Sequence, residues 1–166
     1  MFRNVGRVAV AALAIATIAG QATAASNDCW AAQETSAAKV RDLQSMLMVA
    51  ALRCRTSGVD VLASYNQFVR NNREALVATN SRLKVHFNTA YGPVEGQRAY
   101  DRFTTALANA YGAGDSGAES CSDMAELADY GALANGSATQ LIAVAEQRGI
   151  QPELPTMRCP MTFAAK

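Results

Sequence analysis

The stretch CWAAQETSAAKVRDLQSMLMVAALRC, residues 29–54, decides the fold, because it has the pattern of one long helix with a cysteine at each end. Small and apolar residues recur along it at alternating steps of three and four, which places them on one face of an α-helix. These residues are Cys29, Ala32, Ser36, Val40, Leu43, Leu47, Ala50 and Cys54. Both cysteines therefore lie on the face that we expect to be buried.

Helical patterns also fill most of the remaining chain. They cover approximately residues 60–90, 94–112, 122–134 and 138–148. The first of these is predicted as one long helix, and a break in it would fall at Asn71–Arg73, because asparagine is a weak helix former. Three prolines beyond residue 150 predict an extended tail. The sequence thus predicts an all-α, single-domain antiparallel bundle of four to five helices with an extended C-terminal tail.

The four cysteines, Cys29, Cys54, Cys121 and Cys159, are predicted to form two disulfides. A continuous helix would hold Cys29 and Cys54 about 38 Å apart, whereas a disulfide needs Cα atoms within about 7 Å. If the helices run up and down, Cys54 and Cys121 lie at one end of the bundle, and the tail can bring Cys159 back to Cys29 at the other. We therefore predict the pairs Cys29–Cys159 and Cys54–Cys121.

The N-terminus has the three parts of a secretory signal peptide. Arg3 and Arg7 precede an uncharged apolar run, and Ala22-Thr23-Ala24 offers small residues at a cleavage site. The apolar run of about 20 Å is shorter than the roughly 30 Å hydrocarbon core of a bilayer. We expect residues 1–24 to be cleaved and residues 25–166 to form one periplasmic or secreted domain. No membrane span is expected after cleavage.

The charge of the mature chain argues against a nucleic-acid partner. Removal of residues 1–24 leaves 13 basic and 14 acidic residues, a formal charge of −1. Nucleic-acid binding depends on a surplus of positive charge. Neither a metal nor a cofactor is expected, since the nearest two cysteines are 25 positions apart and no C-x-x-C-H motif occurs.

A row of polar residues along the second helical segment is the predicted binding surface. Tyr65, Asn72, Thr79 and His86 recur every seven residues. Five asparagines lie between residues 66 and 88, although asparagine favours turns over helix interiors. The row would suit a sugar, a peptide or a partner helix. The alternative is a helix whose flanks are simply solvated.

The leading hypothesis is a non-enzymatic exported protein that binds an unknown protein or small-molecule partner, and a homo-oligomer is an open alternative. Two other functions are kept as hypotheses. One is a hydrolase of envelope glycans that uses a loop carboxylate such as Glu95. The other is a bundle that holds a small ligand or a haem, with His86 and either Met46 or Met48 as axial ligands.

Overall fold

The computed structural model describes residues 28–160, and the predicted signal peptide lies outside the described residues. Six α-helices follow one another in the chain. They are α1 (Ala32–Arg53), α2 (Val61–Asn71), α3 (Arg73–Tyr91), α4 (Pro93–Ala110), α5 (Ala118–Ala132) and α6 (Ala138–Gln147), with a short 3-10 helix at Cys54–Thr56 after α1. Within residues 28–160 the only β-type pairing is one isolated bridge, between Trp30 and Arg158. The predicted all-α class is confirmed, with six helices instead of four or five.

Helix α1 is the centre of the bundle, because it contacts all five other helices. Its buried face meets three apolar clusters in turn. An aromatic cluster lies near its first residues and includes Trp30, Phe87 and Phe103. A central cluster surrounds Leu43 and Leu47. The third cluster surrounds the Cys54–Cys121 disulfide at the far end. The apolar face read from the sequence is thus the core of the fold.

The prediction of one long helix over residues 60–90 is wrong, because the chain is divided at Asn72 into α2 and α3. The division lies within Asn71–Arg73, the tripeptide at which a break in that helix would fall. The Asn72 side chain is fully buried. Its Nδ2 donates to the backbone oxygens of Phe68 at 3.0 Å and Gly131 at 2.9 Å, and its Oδ1 accepts from Gly136 N at 2.9 Å. Asn72 therefore joins α2 and α3 to the C-terminal end of α5 and to the loop that follows it.

Helices α2 and α5 form the most extensive helix pair, and they run in the same direction. Val61 at the start of α2 lies in the same cluster as Cys121 at the start of α5. Asn72, just after α2, bonds Gly131 near the end of α5. The chain can form this parallel pair because α2 and α3 both run opposite to α1, and α4 then returns to the Cys54 end.

Both predicted disulfides are confirmed. The Cα atoms are 4.8 Å apart in Cys29–Cys159 and 5.8 Å apart in Cys54–Cys121. The tail predicted from about residue 150 is extended and crosses back to the start of α1. There Trp30 N donates to Met157 O at 3.0 Å, and Cys159 N donates to Trp30 O at 2.9 Å. No helix in residues 28–160 is long and apolar enough to span a membrane.

Candidate functional site

A groove lies between α1 and α3, and the first turns of α6 also contribute to its lining. We call it the α1–α3 groove, and its volume is about 1110 Å³. Its lining residues come from three separate parts of the chain. They are Ala32, Gln33, Glu34, Ser36, Ala37 and Val40 of α1; Ala75, Ala78, Thr79, Ser81, Arg82, Val85, His86 and Thr89 of α3; and Ala138, Thr139 and Ile142 of α6.

Small side chains form much of the groove. Ala32 and Ser36 on α1 and Ala75 and Ala78 on α3 are among its lining residues. Because alanine and serine project little beyond the backbone, the two helices leave room for another element between them. The stretch of α3 that lines the groove, residues 75–89, is about 21 Å long. The groove can therefore accommodate an elongated occupant.

The charged side chains at the rim are already paired with each other. Arg82 Nη1 lies 2.8 Å from Gln33 Oε1 and 3.4 Å from Glu34 Oε1, which links α3 to the first turn of α1. Farther along α1, Lys39 Nζ lies 2.7 Å from Glu146 Oε1 on α6. Surface pairs of this kind are worth up to about 1 kcal/mol each. Of the two pairs, only Glu34 and Arg82 belong to the lining of the groove.

His86, the only histidine of the chain, stands where the groove meets the aromatic cluster. The ring centroids of His86 and Trp30 are 4.3 Å apart. Trp30 is 1% exposed, and its ring also contacts Phe87 and Phe103. Burial lowers the pKa of His86, and the charges of Glu34 and Asp28 offset that only in part. Near neutral pH the imidazole is therefore uncharged.

The structure divides the four residues of the predicted polar row into two pairs. Thr79 and His86 line the α1–α3 groove. Tyr65 lies outside it, half-buried against the central cluster and stacked on Phe68. Asn72 also lies outside it, and its side chain is used for the internal hydrogen bonds described above. Only the second half of the row can therefore contact an occupant of the groove.

Sequence reasoning missed the contributions of α1 and α6 to the groove. On α1, Gln33, Glu34 and Ser36 lie on or beside the predicted buried face and looked like ordinary helix residues. On α6, Ile142 looked like a core residue. The one usable signal was the small size of the residues at positions 32 and 36, which leaves space beside a helix.

The residues proposed for the two alternative functions are placed differently from what those functions require. Glu95 lies in the first turn of α4, not in a loop, because Pro93 begins the helix at N1; its carboxylate pairs with Arg98. Met46 packs between the central and Cys54 clusters, whereas His86 lies beside Trp30. Met48, like Met46, is absent from the groove lining. Residues 28–160 contain no group of three or more His, Cys, Asp or Glu side chains that could hold a metal ion.

A second polar cluster lies on the opposite side of α1, away from the groove. The Tyr111 hydroxyl donates to Asp42 Oδ1 at 2.9 Å, and Arg53 Nη1 donates to the Tyr111 backbone oxygen at 2.8 Å. Asp42 is 4% exposed. Burial raises the pKa of its carboxyl, and the hydrogen bond from Tyr111 opposes that shift. This cluster fixes the end of α4 against α1 and has no opening toward the groove.

Comparison with protein-family models, with curated proteins and with solved structures found no match for this chain. The argument for its function therefore rests on the geometry above.

Proposed function

We propose that the protein is a non-enzymatic, exported binding protein of the bacterial envelope, periplasmic or secreted, and that the α1–α3 groove is its contact surface. The observation that carries the proposal is an open groove about 21 Å long between two antiparallel helices, lined by small side chains and bordered by polar ones. The two disulfides support export, because such bonds persist outside the reducing cytoplasm.

The size of the groove favours a polypeptide segment over a small molecule. Small-molecule sites are typically enclosed pockets of roughly 300–1000 Å³. The α1–α3 groove has a volume of about 1110 Å³ and is open along its length. An amphipathic helix laid into a groove between two helices is a common mode of peptide recognition. We therefore propose a helical segment of another protein as the occupant.

The chemistry of the rim suits recognition. Glu34 and Arg82 neutralise each other, and the His86 ring contacts Trp30 at a tilted angle. The hydroxyls of Ser36, Thr89 and Thr139 can donate or accept hydrogen bonds at the edge of an occupant. Apolar side chains of the occupant would contact Val85 and Ile142.

A native mass spectrum of the untagged, oxidised protein from its own host tests this proposal. Ala78→Arg places a long side chain in the groove, and Val77→Arg places the same side chain on the neighbouring, 57% exposed position outside the lining. We expect bound mass with the wild type and with Val77→Arg, and none with Ala78→Arg. Bound mass that persists in Ala78→Arg would contradict the groove as the contact surface, and no bound mass in all three proteins would contradict a stable complex.

A further inference from the structure

Residues 150–160 form an extended segment, here called the C-terminal strap, which covers the aromatic cluster at the start of α1. Leu154 packs against that cluster, and the Thr156 hydroxyl donates to the backbone oxygen of Asp28. The strap contains no helix, and most of its residues are exposed or half-buried. Its attachment at this end therefore depends on a few hydrogen bonds, Leu154 and one disulfide.

Trp30 connects the strap to the α1–α3 groove. On one side, its backbone exchanges two hydrogen bonds with the strap, from Trp30 N to Met157 O and from Cys159 N to Trp30 O. On the other side, its ring contacts His86, which lines the groove. A change in the position of the strap can thus reach the groove through Trp30, both by its ring contact with His86 and along the chain to the lining residue Ala32.

The two disulfides differ in their surroundings. Cys54 is 1% exposed and Cys121 is fully buried, and both lie within an apolar cluster that includes Val61 and Met124. Cys29 and Cys159 are both half-buried and join the strap to the segment before α1. Thiol–disulfide exchange requires that a thiolate reach a sulfur atom. The disulfide of the strap is therefore the more accessible of the two.

We propose that Cys29–Cys159 is a redox-sensitive latch, whose reduction releases the strap and thereby alters the α1–α3 groove. The reductant is a dithiol, such as the active-site cysteine pair of an exported oxidoreductase. One of its thiolates attacks Cys29 or Cys159 and forms a mixed disulfide, and its second thiol resolves that bond. Two electrons pass to the protein, which gains two thiols, and the dithiol becomes a disulfide.

When Cys29–Cys159 is reduced, other contacts still hold the rest of the fold together. Cys54–Cys121 still joins α1 to α5. The central cluster holds Ile150, the first residue of the strap, but includes neither Leu154 nor Cys159, so the release concerns the strap beyond Ile150. Asn72 still joins α2 and α3 to α5. The release is therefore expected to be local to the strap, Trp30 and the groove wall at His86.

The release itself can be measured without any knowledge of the occupant. The oxidised mature protein is titrated with dithiothreitol, new thiols are alkylated, and peptides are mapped while tryptophan emission is recorded. Trp30 is the only tryptophan, so the emission reports on the strap directly. We expect Cys29 and Cys159 to be alkylated before Cys54 and Cys121, with a red shift in emission at the same dithiothreitol concentration. Earlier or simultaneous alkylation of Cys54 and Cys121, or an unchanged emission, would overturn the proposal.

If reduction unfolds the whole chain, two variants still test the proposal. Leu154→Ala weakens the strap and leaves both disulfides in place, and we expect faster alkylation of Cys29 and Cys159. In Cys29→Ser/Cys159→Ser we expect faster amide hydrogen exchange in residues 28–37 and 82–91, with unchanged protection in α2 and α5. Equal loss of protection throughout the bundle, or no effect of Leu154→Ala, would overturn a local latch.

The link to binding rests on the proposed function and has a separate readout. Native mass spectra are recorded before and after selective reduction of Cys29–Cys159. Loss of the bound mass together with the emission shift supports the coupling, whereas bound mass retained after the shift overturns it. A protein that shows the shift but never carries bound mass would contradict the proposed function and leave the latch supported.

Discussion

Trp30 and His86 are in ring contact, with centroids 4.3 Å apart, and they are the only tryptophan and the only histidine of the chain. Trp30 belongs to the segment held by the strap, whereas His86 belongs to the wall of the α1–α3 groove. The pair therefore joins the two features on which the proposals rest, and it also provides a spectroscopic probe of both.

A pH titration of tryptophan emission should report the protonation of His86. A protonated imidazole quenches an indole in contact with it, so emission should fall as the pH falls. Burial lowers the pKa of His86, and the midpoint is therefore expected below the ordinary value of 6.5. His86→Gln should abolish the transition. A midpoint above 6.5 in the wild type would contradict the desolvated position of the ring.

The lowered pKa of His86 also predicts that the stability of the protein changes with pH. Because the folded state binds a proton at His86 less tightly than the unfolded state does, the unfolded state gains protons first as the pH falls. The contribution of His86 to the free energy of unfolding is full above pH 6.5 and is lost as the pH falls through the lowered pKa. Urea denaturation of the wild type and of His86→Gln at several pH values measures this difference, which should grow with pH.

Asn72→Ala should destabilise the fold by about 2–3 kcal/mol, since three hydrogen bonds of a fully buried side chain are lost at about 1 kcal/mol each. Asn71→Ala is the matched control. Asn71 is exposed and makes one side-chain hydrogen bond, to Ala132 O, so at most about 1 kcal/mol is expected. Chemical denaturation compares the two variants. Equal effects at both positions would contradict the role of Asn72 as the joint between the helices.

Gly96→Ala should destabilise the α3–α4 pair by about 1–3 kcal/mol. A Cβ at position 96 would lie 2.7 Å from Asn88 Cα and 2.7 Å from Phe87 O, and these backbone atoms cannot move aside independently. At Gly112 the nearest atom to an added Cβ is Asn109 O at 3.4 Å. Gly112→Ala should therefore stay within about 0.5 kcal/mol of the wild type in thermal or urea denaturation. A neutral Gly96→Ala would show that the two helices are farther apart than described.

Asp42→Asn should stabilise the protein at pH 7. The asparagine oxygen can accept the same hydrogen bond from Tyr111 without a buried negative charge. Because the pKa of Asp42 is raised in the folded state, its unfavourable contribution appears as the pH rises from 3.8 through that raised value. The stabilisation by Asp42→Asn should vanish below pH 3.8.

The sequence was sufficient for the features that depend on local pattern. Periodicity placed the helices, since each buries a stripe along its own length, and the rigid length of α1 eliminated a Cys29–Cys54 bond. The weak helix propensity of asparagine located the place where the segment 60–90 could divide, although the prediction of one continuous helix there was wrong. These features can be predicted without knowing which helices pack against each other.

The candidate site was predicted only in part, because it depends on which helices pack against each other. Whether Asn72 faces solvent or the interior is decided by Gly131, 59 positions later in the chain. The groove combines Ser36 of α1, His86 of α3 and Ile142 of α6, and no pattern within α3 contains that information. The predicted polar row therefore contains two residues of the groove, Thr79 and His86, and two that lie outside it, Tyr65 and Asn72.

The most direct test of the central claim is photo-crosslinking in the native host. A photoreactive amino acid replaces Ala78, inside the groove, or Val77, the adjacent exposed position outside it. The account predicts a discrete adduct with one protein from position 78 and none from position 77, with the crosslinked partner peptide amphipathic and helical in pattern. Equal adducts from both positions, or an adduct from position 77 alone, would contradict the α1–α3 groove as the binding surface.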